Sequence, residues 1–227
     1  MKTLLSLLLI STFALVTSAC SESSSTSTSN SKSPQSSKTG ISYRIGTHFT
    51  KLSDPFEPKG TQNVVTEFFW YGCPHCENFE PVLKKWQSNK PFNTILKKSP
   101  AIWNEPMKLH AKLYFIAETM NIKAAAVHAE LFKVVTALRA EKDMLKQQAA
   151  FAAVFARHGM NNETFEKQLK SFQVEGQLEL AEKLMKQGEI RSTPTVIVNG
   201  KYQIQNKATR SSTEIMEVAN YIIEQGI

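Results

Sequence analysis

Apolar and polar positions follow three rhythms along this chain. Residues 62–70 hold Val64-Val65-Thr66-Glu67-Phe68-Phe69-Trp70, an apolar run that reads as a buried strand. Phe79, Val82, Leu83 and Trp86 then recur at helical spacing, which predicts a helix from Cys73 to about Asn89. Thr94-Ile95-Leu96 is a short β-prone run followed by Pro100. From Glu105 to about Gly188 the period is helical and strand signals vanish. Leu109, Leu113, Ile116, Ala117 and Met120 form one stripe; Val127, Leu131, Val134, Val135 and Leu138 form a second. Leu145, Ala149, Ala152 and Phe155 form a third, ended by Gly159. Asn162 reads as an N-cap for Phe165, Leu169 and Phe172. Leu178, Ala181, Leu184 and Met185 mark a long helix stopped by Gly188.

Strand signals return at Thr195-Val196-Ile197-Val198. Asn199-Gly200 is a two-residue hairpin turn, and Lys201-Tyr202-Gln203-Ile204 continues the hairpin. Ser211 and Glu214 form a capping-box pattern before a closing helix with Ile215, Val218, Ala219, Ile222 and Ile223. Gly46 to Phe56 opens the fold with a short edge strand. Strand, helix, strand, helical block, hairpin and helix predict an α/β chain with a helical insertion, whose first and last parts share one sheet.

The ends change the picture. Lys2 precedes an apolar stretch, Leu4 to Val16, that is too short for an ordinary membrane span. Thr17-Ser18-Ala19-Cys20 follows. Small residues before a cysteine predict a secretory signal, residues 1–19, whose removal leaves Cys20 first. This looks like a bacterial lipoprotein cleavage box, with Thr17 where such boxes usually carry Leu, and it makes Cys20 the lipidation site. Residues 21–40 are nearly all Ser, Thr, Asn, Lys and Pro, which cannot bury a core. Such a tether has an end-to-end distance of roughly 25 Å. Loss of Lys2 lowers the net charge from +7 to +6. Lys84-Lys85 and Lys97-Lys98 are the densest basic pairs and read as solvated faces. Aromatics are not interleaved with them, which argues against nucleic acid.

The chemistry lies at Cys73-Pro74-His75-Cys76. Two cysteines two residues apart, at a strand-to-helix turn, are placed to form and break a disulfide. At a helix start, unpaired N–H groups and the macrodipole favour an anion, so Cys73 is the expected nucleophile. Pro74 suits the first helical position because its missing N–H has no helical partner. His75 can add positive charge beside the sulfur. Cys76, one turn in, is the expected resolving thiol. A stabilised thiolate stabilises the reduced form, which makes the disulfide a donor. Glu67 lies mid-strand among apolar residues, where a carboxylate is expensive without a partner. His110, His128 and His158 fall on helices with no carboxylate or thiol constellation and read as core or surface. Trp86 and Trp103 read as core; Trp70 and Tyr71 are expected to pack around the pair. Two thiols and one intervening His cannot wrap a tetrahedral metal ion.

These residues resemble the periplasmic DsbA family of thiol–disulfide oxidoreductases. Glu67-Phe68-Phe69, Cys73-Pro74-His75-Cys76 and Phe79-Glu80 carry the resemblance, with Pro194 and Val198-Asn199-Gly200-Lys201-Tyr202. It implies a thioredoxin fold with an inserted all-helical domain. The parts are then 41–105, the insertion 106–182, and 183–227, behind the signal at 1–19 and the lipidated tether at 20–40. It implies a redox disulfide Cys73–Cys76, a cis Pro194 facing the pair, client contact at Thr193 and Pro194, and proton assistance from Glu67. It further implies reduced exported proteins as substrates, a DsbB-like membrane reoxidant, no bound cofactor and a monomer held at a membrane by its lipid. Thr193 departs from the Val of the best-known oxidases, which shifts the expected redox poise. An isomerase or reductant of the same fold remains an alternative, although residues 21–62 are too short and polar for a dimerisation domain. A copper-binding lipoprotein is a second one.

Overall fold

The computed structural model describes residues 42–56 and 60–227. The signal, Cys20 and the Ser-rich tether lie outside the described residues. The sheet contains β1 (Phe49–Lys51), β2 (Asn63–Phe69), β3 (Thr94–Pro100), β4 (Thr195–Val198) and β5 (Tyr202–Ile204), in the order β1-β5-β4-β2-β3. Only β2 and β3 run parallel; the other pairings are antiparallel. The parallel pair is joined by helix α1 (Pro74–Gln87), so the pair of cysteines lies at the top of a strand–helix–strand crossover. Central β2 is buried on both faces, which is why its sequence is a continuous apolar run rather than an alternation.

One face of the sheet is covered by α1 and the closing helix α7 (Ser212–Glu224). Phe79, Leu83 and Trp86 meet Val218, Ala219 and Ile222 over Val65, Val196 and Val198. The opposite face holds a smaller core of Leu52, Phe68, Ile190 and Ile197. The Asn199-Gly200 turn forms as expected, with both residues at positive φ, and Ser211 caps α7 through the N–H of Glu214. The Glu214 carboxylate returns to the N–H of Arg210.

Between β3 and β4 lie α2 (Glu105–Thr119), α3 (Ala124–Ala137), α4 (Met144–Arg157), α5 (Asn162–Leu169) and α6 (Phe172–Gln187). They enclose a second core of Leu113, Ile116, Val127, Leu131, Phe151, Val154, Phe155 and Phe165, which also takes in Phe69, Tyr71, Cys73 and Cys76. The helical block therefore closes directly over the thiol pair. This is the thioredoxin fold with a helical insertion. The expected boundary at residue 182 falls inside α6. Val174 of that helix packs in the helical core, whereas Leu184 and Met185 pack against the sheet.

Several sequence expectations need correction. Asn161, not Asn162, caps α5, its side chain accepting from the N–H of Thr164. Phe172 starts the next helix and is exposed, because Ser171 interposes a new cap. Leu145 is exposed as well, since the buried stripe of α4 begins only at Phe151. Trp103, expected in the core, is 44 % exposed in the short turn before α2.

Candidate active site

Cys73 is the N-cap of α1, with an extended backbone at φ −95° and ψ 110°. Its carbonyl accepts from the N–H groups of Cys76 at 3.0 Å and Glu77 at 3.2 Å, so the helix begins at this residue. Pro74 takes the first helical position, where no N–H is needed. Both cysteines are free thiols. Cys73 is 7 % exposed and Cys76 is fully buried, so only Cys73 offers its sulfur to an incoming chain.

The loop before β4 faces this sulfur. Its Thr193–Pro194 bond is cis, and Cys73 Sγ lies 3.3 Å from the carbonyl oxygen of Thr193. From the far side, Asn206 Nδ2 donates to the carbonyl of Pro194 at 2.6 Å.

The two thiols are driven apart electrostatically. Cys73 is lowered to about 5. The Cys76 thiol beside it contributes most; burial opposes; the Thr193 side chain and the N–H groups of Cys76 and His75 add to the lowering. Thr193 therefore acts twice. Its carbonyl favours the neutral thiol, which donates to it, while its hydroxyl favours the anion. The anion prevails because the Cys76 thiol, above all, and then the hydroxyl and the helix N–H groups favour it. Cys76 is pushed far up, first by its bond to Cys73, then by burial, then by the negative charge of Glu67.

His75 is the second residue of α1. Its side chain is exposed and makes no hydrogen bond or ion pair among the described residues. Its contribution to Cys73 comes from its backbone N–H.

Glu67 is wholly buried, opposite Lys98 in the parallel register of β2 and β3. Lys98 Nζ lies 3.0 Å from Oε2. The distance makes an ion pair, and the same ammonium donates to Glu80, so one buried cation is shared between two carboxylates. Burial raises Glu67 to about 7, against the pull of Lys98 and with a push from Glu80. Burial also pulls the Lys98 ammonium down, yet its two carboxylate partners outweigh this and hold it above its ordinary value. Lys98 is thus no solvated partner of Lys97, as its sequence suggested. The cross-strand register that pairs it with Glu67 has no local signature.

The three residues before Cys73 carry contacts that sequence reasoning missed. Trp70 Nε1 donates to His110 Nδ1 at 2.8 Å. The Tyr71 hydroxyl bonds His128 Nδ1, and His128 Nε2 reaches Glu118 at 2.8 Å. Arg139 Nη2 donates to the carbonyl of Gly72 at 3.2 Å. His158 pairs with Glu130 at 2.8 Å. His128 and His158 therefore do have carboxylate partners, each supplied by another turn or helix at a separation the sequence does not reveal. Among the described residues, no group of three or more His, Cys, Asp or Glu side chains is arranged to hold a metal ion.

Comparison with known proteins agrees with this geometry. A family profile described as Thioredoxin matches residues 59–217. The thiol:disulfide interchange protein DsbA of Pseudomonas aeruginosa is 30 % identical over 81 % of this chain and 85 % of its own. The protein of that name from Azotobacter vinelandii is 32 % identical over 80 % and 84 %. The crystal structure of Pseudomonas aeruginosa DsbA superimposes with a TM-score of 0.71, covering 81 % of this chain and 94 % of that one. With relatives of 30 % identity or more covered over four fifths of both chains, the chain belongs to the DsbA family of thiol:disulfide interchange proteins.

Proposed function

We propose that this chain is an oxidase that donates its Cys73–Cys76 disulfide to reduced exported proteins. One observation carries the reading: within one helical turn, the accessible thiol is held near 5 and the buried one is pushed far above its ordinary value. A client thiolate attacks Cys73 Sγ, a client–Cys73 bond forms, and the Cys73–Cys76 bond breaks. Cys76 departs with the electron pair and takes a proton, because its buried anion is strongly disfavoured. Glu67, protonated up to about pH 7, is the proposed source of that proton. A second client thiolate then attacks the client sulfur and releases Cys73 as a stabilised anion. The client loses two electrons and gains a disulfide; the enzyme retains one proton on Cys76. Thr193 and Pro194 present the backbone along which an extended client segment pairs as an added strand. A membrane reoxidant of the DsbB kind restores the disulfide. No bound cofactor enters any step.

The test is a titration of Cys73 by thiolate absorbance, with the pair equilibrated against glutathione. The midpoint is expected near 5, and the pair is expected mainly as the dithiol. The sign follows from linkage. A lowered thiol favours the reduced form fully above the ordinary thiol value, and the advantage is lost as pH falls through about 5. A midpoint near the free-cysteine value of about 8.5, with a persistent disulfide, overturns the donor reading in favour of a reductant.

The parts beyond the described residues complete the reading. Residues 1–19 are proposed as a cleaved signal, Cys20 as a lipid-modified first residue, and 21–40 as a tether that holds the domains 41–105, 106–182 and 183–227 off a bacterial membrane, on the periplasmic side. The apolar run before Ser18-Ala19-Cys20 supports this. In cells fed an alkyne fatty acid, the wild-type chain is expected to take up label and to sediment with membranes. Cys20→Ala should remain unlabelled and soluble; equal labelling of the variant would rule out Cys20 as the site.

A further inference from the structure

Three consecutive residues, Trp70, Tyr71 and Gly72, form the turn that leads from β2 into Cys73. Each is bound by a different side chain of the helical block: His110 on α2, His128 on α3 and Arg139 just beyond the end of α3. The contacts are unlike one another in chemistry, yet all converge on one turn.

The geometry of each contact limits a different freedom. Trp70 is stacked on His110, with ring planes 18° apart, and the indole can only donate. His110 is buried and lowered to about 4, so its neutral ring keeps the Nδ1 lone pair that the indole needs. Gly72 has no Cβ because the Trp70 ring occupies that space; a Cβ there would lie 2.3 Å from Cζ2. Tyr71 is buried in the same core as both cysteines and stacks on His128 at 28°. Glu118 accepts from His128 Nε2, leaving Nδ1 to face the Tyr71 hydroxyl.

Arg139 holds the last bond before the sulfur. The peptide between Gly72 and Cys73 is a rigid plane. Its N–H donates to the carbonyl of Trp70 at 3.0 Å, and its C=O accepts from Arg139 at 3.2 Å. Pinned at both edges, this plane cannot rotate. Its orientation fixes one side of the Cys73 φ torsion, and φ together with χ1 sets where Sγ lies relative to the N–H groups of His75 and Cys76 and to Thr193.

We propose that the helical block is a three-point clamp on the Trp70–Gly72 turn, with Arg139 as the positioning residue that keeps Cys73 Sγ at the N-terminus of α1. The clamp deepens the oxidase reading and rests on it. It makes the insertion part of the redox machinery, because the block that covers the thiols also fixes their angle of presentation. If Arg139 is lost, the plane is free to rock and the sulfur spends time away from its donors. The anion is then less favoured and the disulfide is a weaker donor.

The experiment uses the full chain with Arg139→Ala, Arg139→Lys and, independently, His128→Phe, which keeps ring stacking and removes both hydrogen bonds. Arg139 is exposed, so its replacement leaves the core untouched. Thiolate absorbance is followed against pH, and the glutathione equilibrium is measured at low salt and at 1 M salt. Arg139→Ala and His128→Phe are each expected to raise the Cys73 midpoint by about one unit, a roughly tenfold loss of thiolate below the midpoint. The glutathione equilibrium should move towards the disulfide by a similar factor. Arg139→Lys, which keeps a donor of comparable length, should recover most of the change. High salt separates geometry from charge, since a through-space effect of one exposed guanidinium is screened at 1 M. Persistence of the shift at 1 M supports the clamp. A shift that vanishes at 1 M, or an Arg139→Ala midpoint equal to wild type, overturns it. The oxidase reading is judged separately, on the wild-type midpoint alone.

Discussion

Cys76→Ala, challenged with oxidised glutathione or a client disulfide, is expected to accumulate as a covalent adduct through Cys73, while Cys73→Ala forms none. Both variants lose turnover to the uncatalysed background, yet for opposite reasons. At pH 7 a thiol held near 5 is almost wholly ionised, against a few per cent for free cysteine, so the lone Cys73 still attacks. Its mixed disulfide persists because Cys76, the sulfur one helical turn away, has been removed. The lone Cys76 is fully buried and strongly disfavoured as an anion, so it neither reaches a client nor ionises. Mass spectrometry of the two variants after brief exposure reads this directly. An adduct on Cys73→Ala, or none on Cys76→Ala, would reverse the assignment of nucleophile and resolving thiol.

Glu67→Gln is expected to stabilise the protein by about 3 kcal/mol above pH 7, with no gain near pH 4. Glu67 is raised from 4.5 to about 7 in the folded state. Between those values the folded chain binds the proton and the unfolded chain has released it. Stability therefore falls as pH rises through this window, and the deficit is complete above about 7. Gln keeps the shape and never ionises, so it avoids the loss. Lys98 is not orphaned by the change, because Glu80 already holds its ammonium. Denaturant unfolding at pH 8 and pH 4 gives the comparison; equal stability at pH 8 would mean that Lys98 fully compensates the buried charge. A carboxylate that weakens the fold at working pH is retained for something other than stability. Its charge acts on both thiols, which fits the proton that Cys76 needs, and the same variant should slow the step that forms the Cys76 thiol.

The thiol pair, its helix and the strand before it were legible because each rests on local rules. Cys73 and Cys76 are three positions apart on one turn, Pro74 suits a helix start, and β2 is buried on both faces. The hairpin at Asn199-Gly200 was equally plain, since two positive φ values demand that dipeptide chemistry. His75 is near Cys73 in sequence, but at this helix start its side chain is exposed and its N–H is the group that favours the sulfur anion. Trp103 misled because size alone suggested burial. Lys98 was read with its neighbour Lys97, although successive strand residues face opposite sides.

By itself, then, the amino-acid order determined the element types, the cysteine pair at a helix start, and the α/β sheet interrupted by a helical block. Period, capping and helix-start electrostatics act over one to four residues, and that range is written in the chain. What only the folded form decided is everything bridged across long separations. The ion pair of Glu67 with Lys98, the approach of Thr193 to Cys73, and the contacts of His110, His128 and Arg139 with the Trp70 indole, the Tyr71 hydroxyl and the Gly72 carbonyl all depend on strand register and helix packing. Those arise from the simultaneous burial of many apolar side chains, a collective outcome that no short window of residues contains.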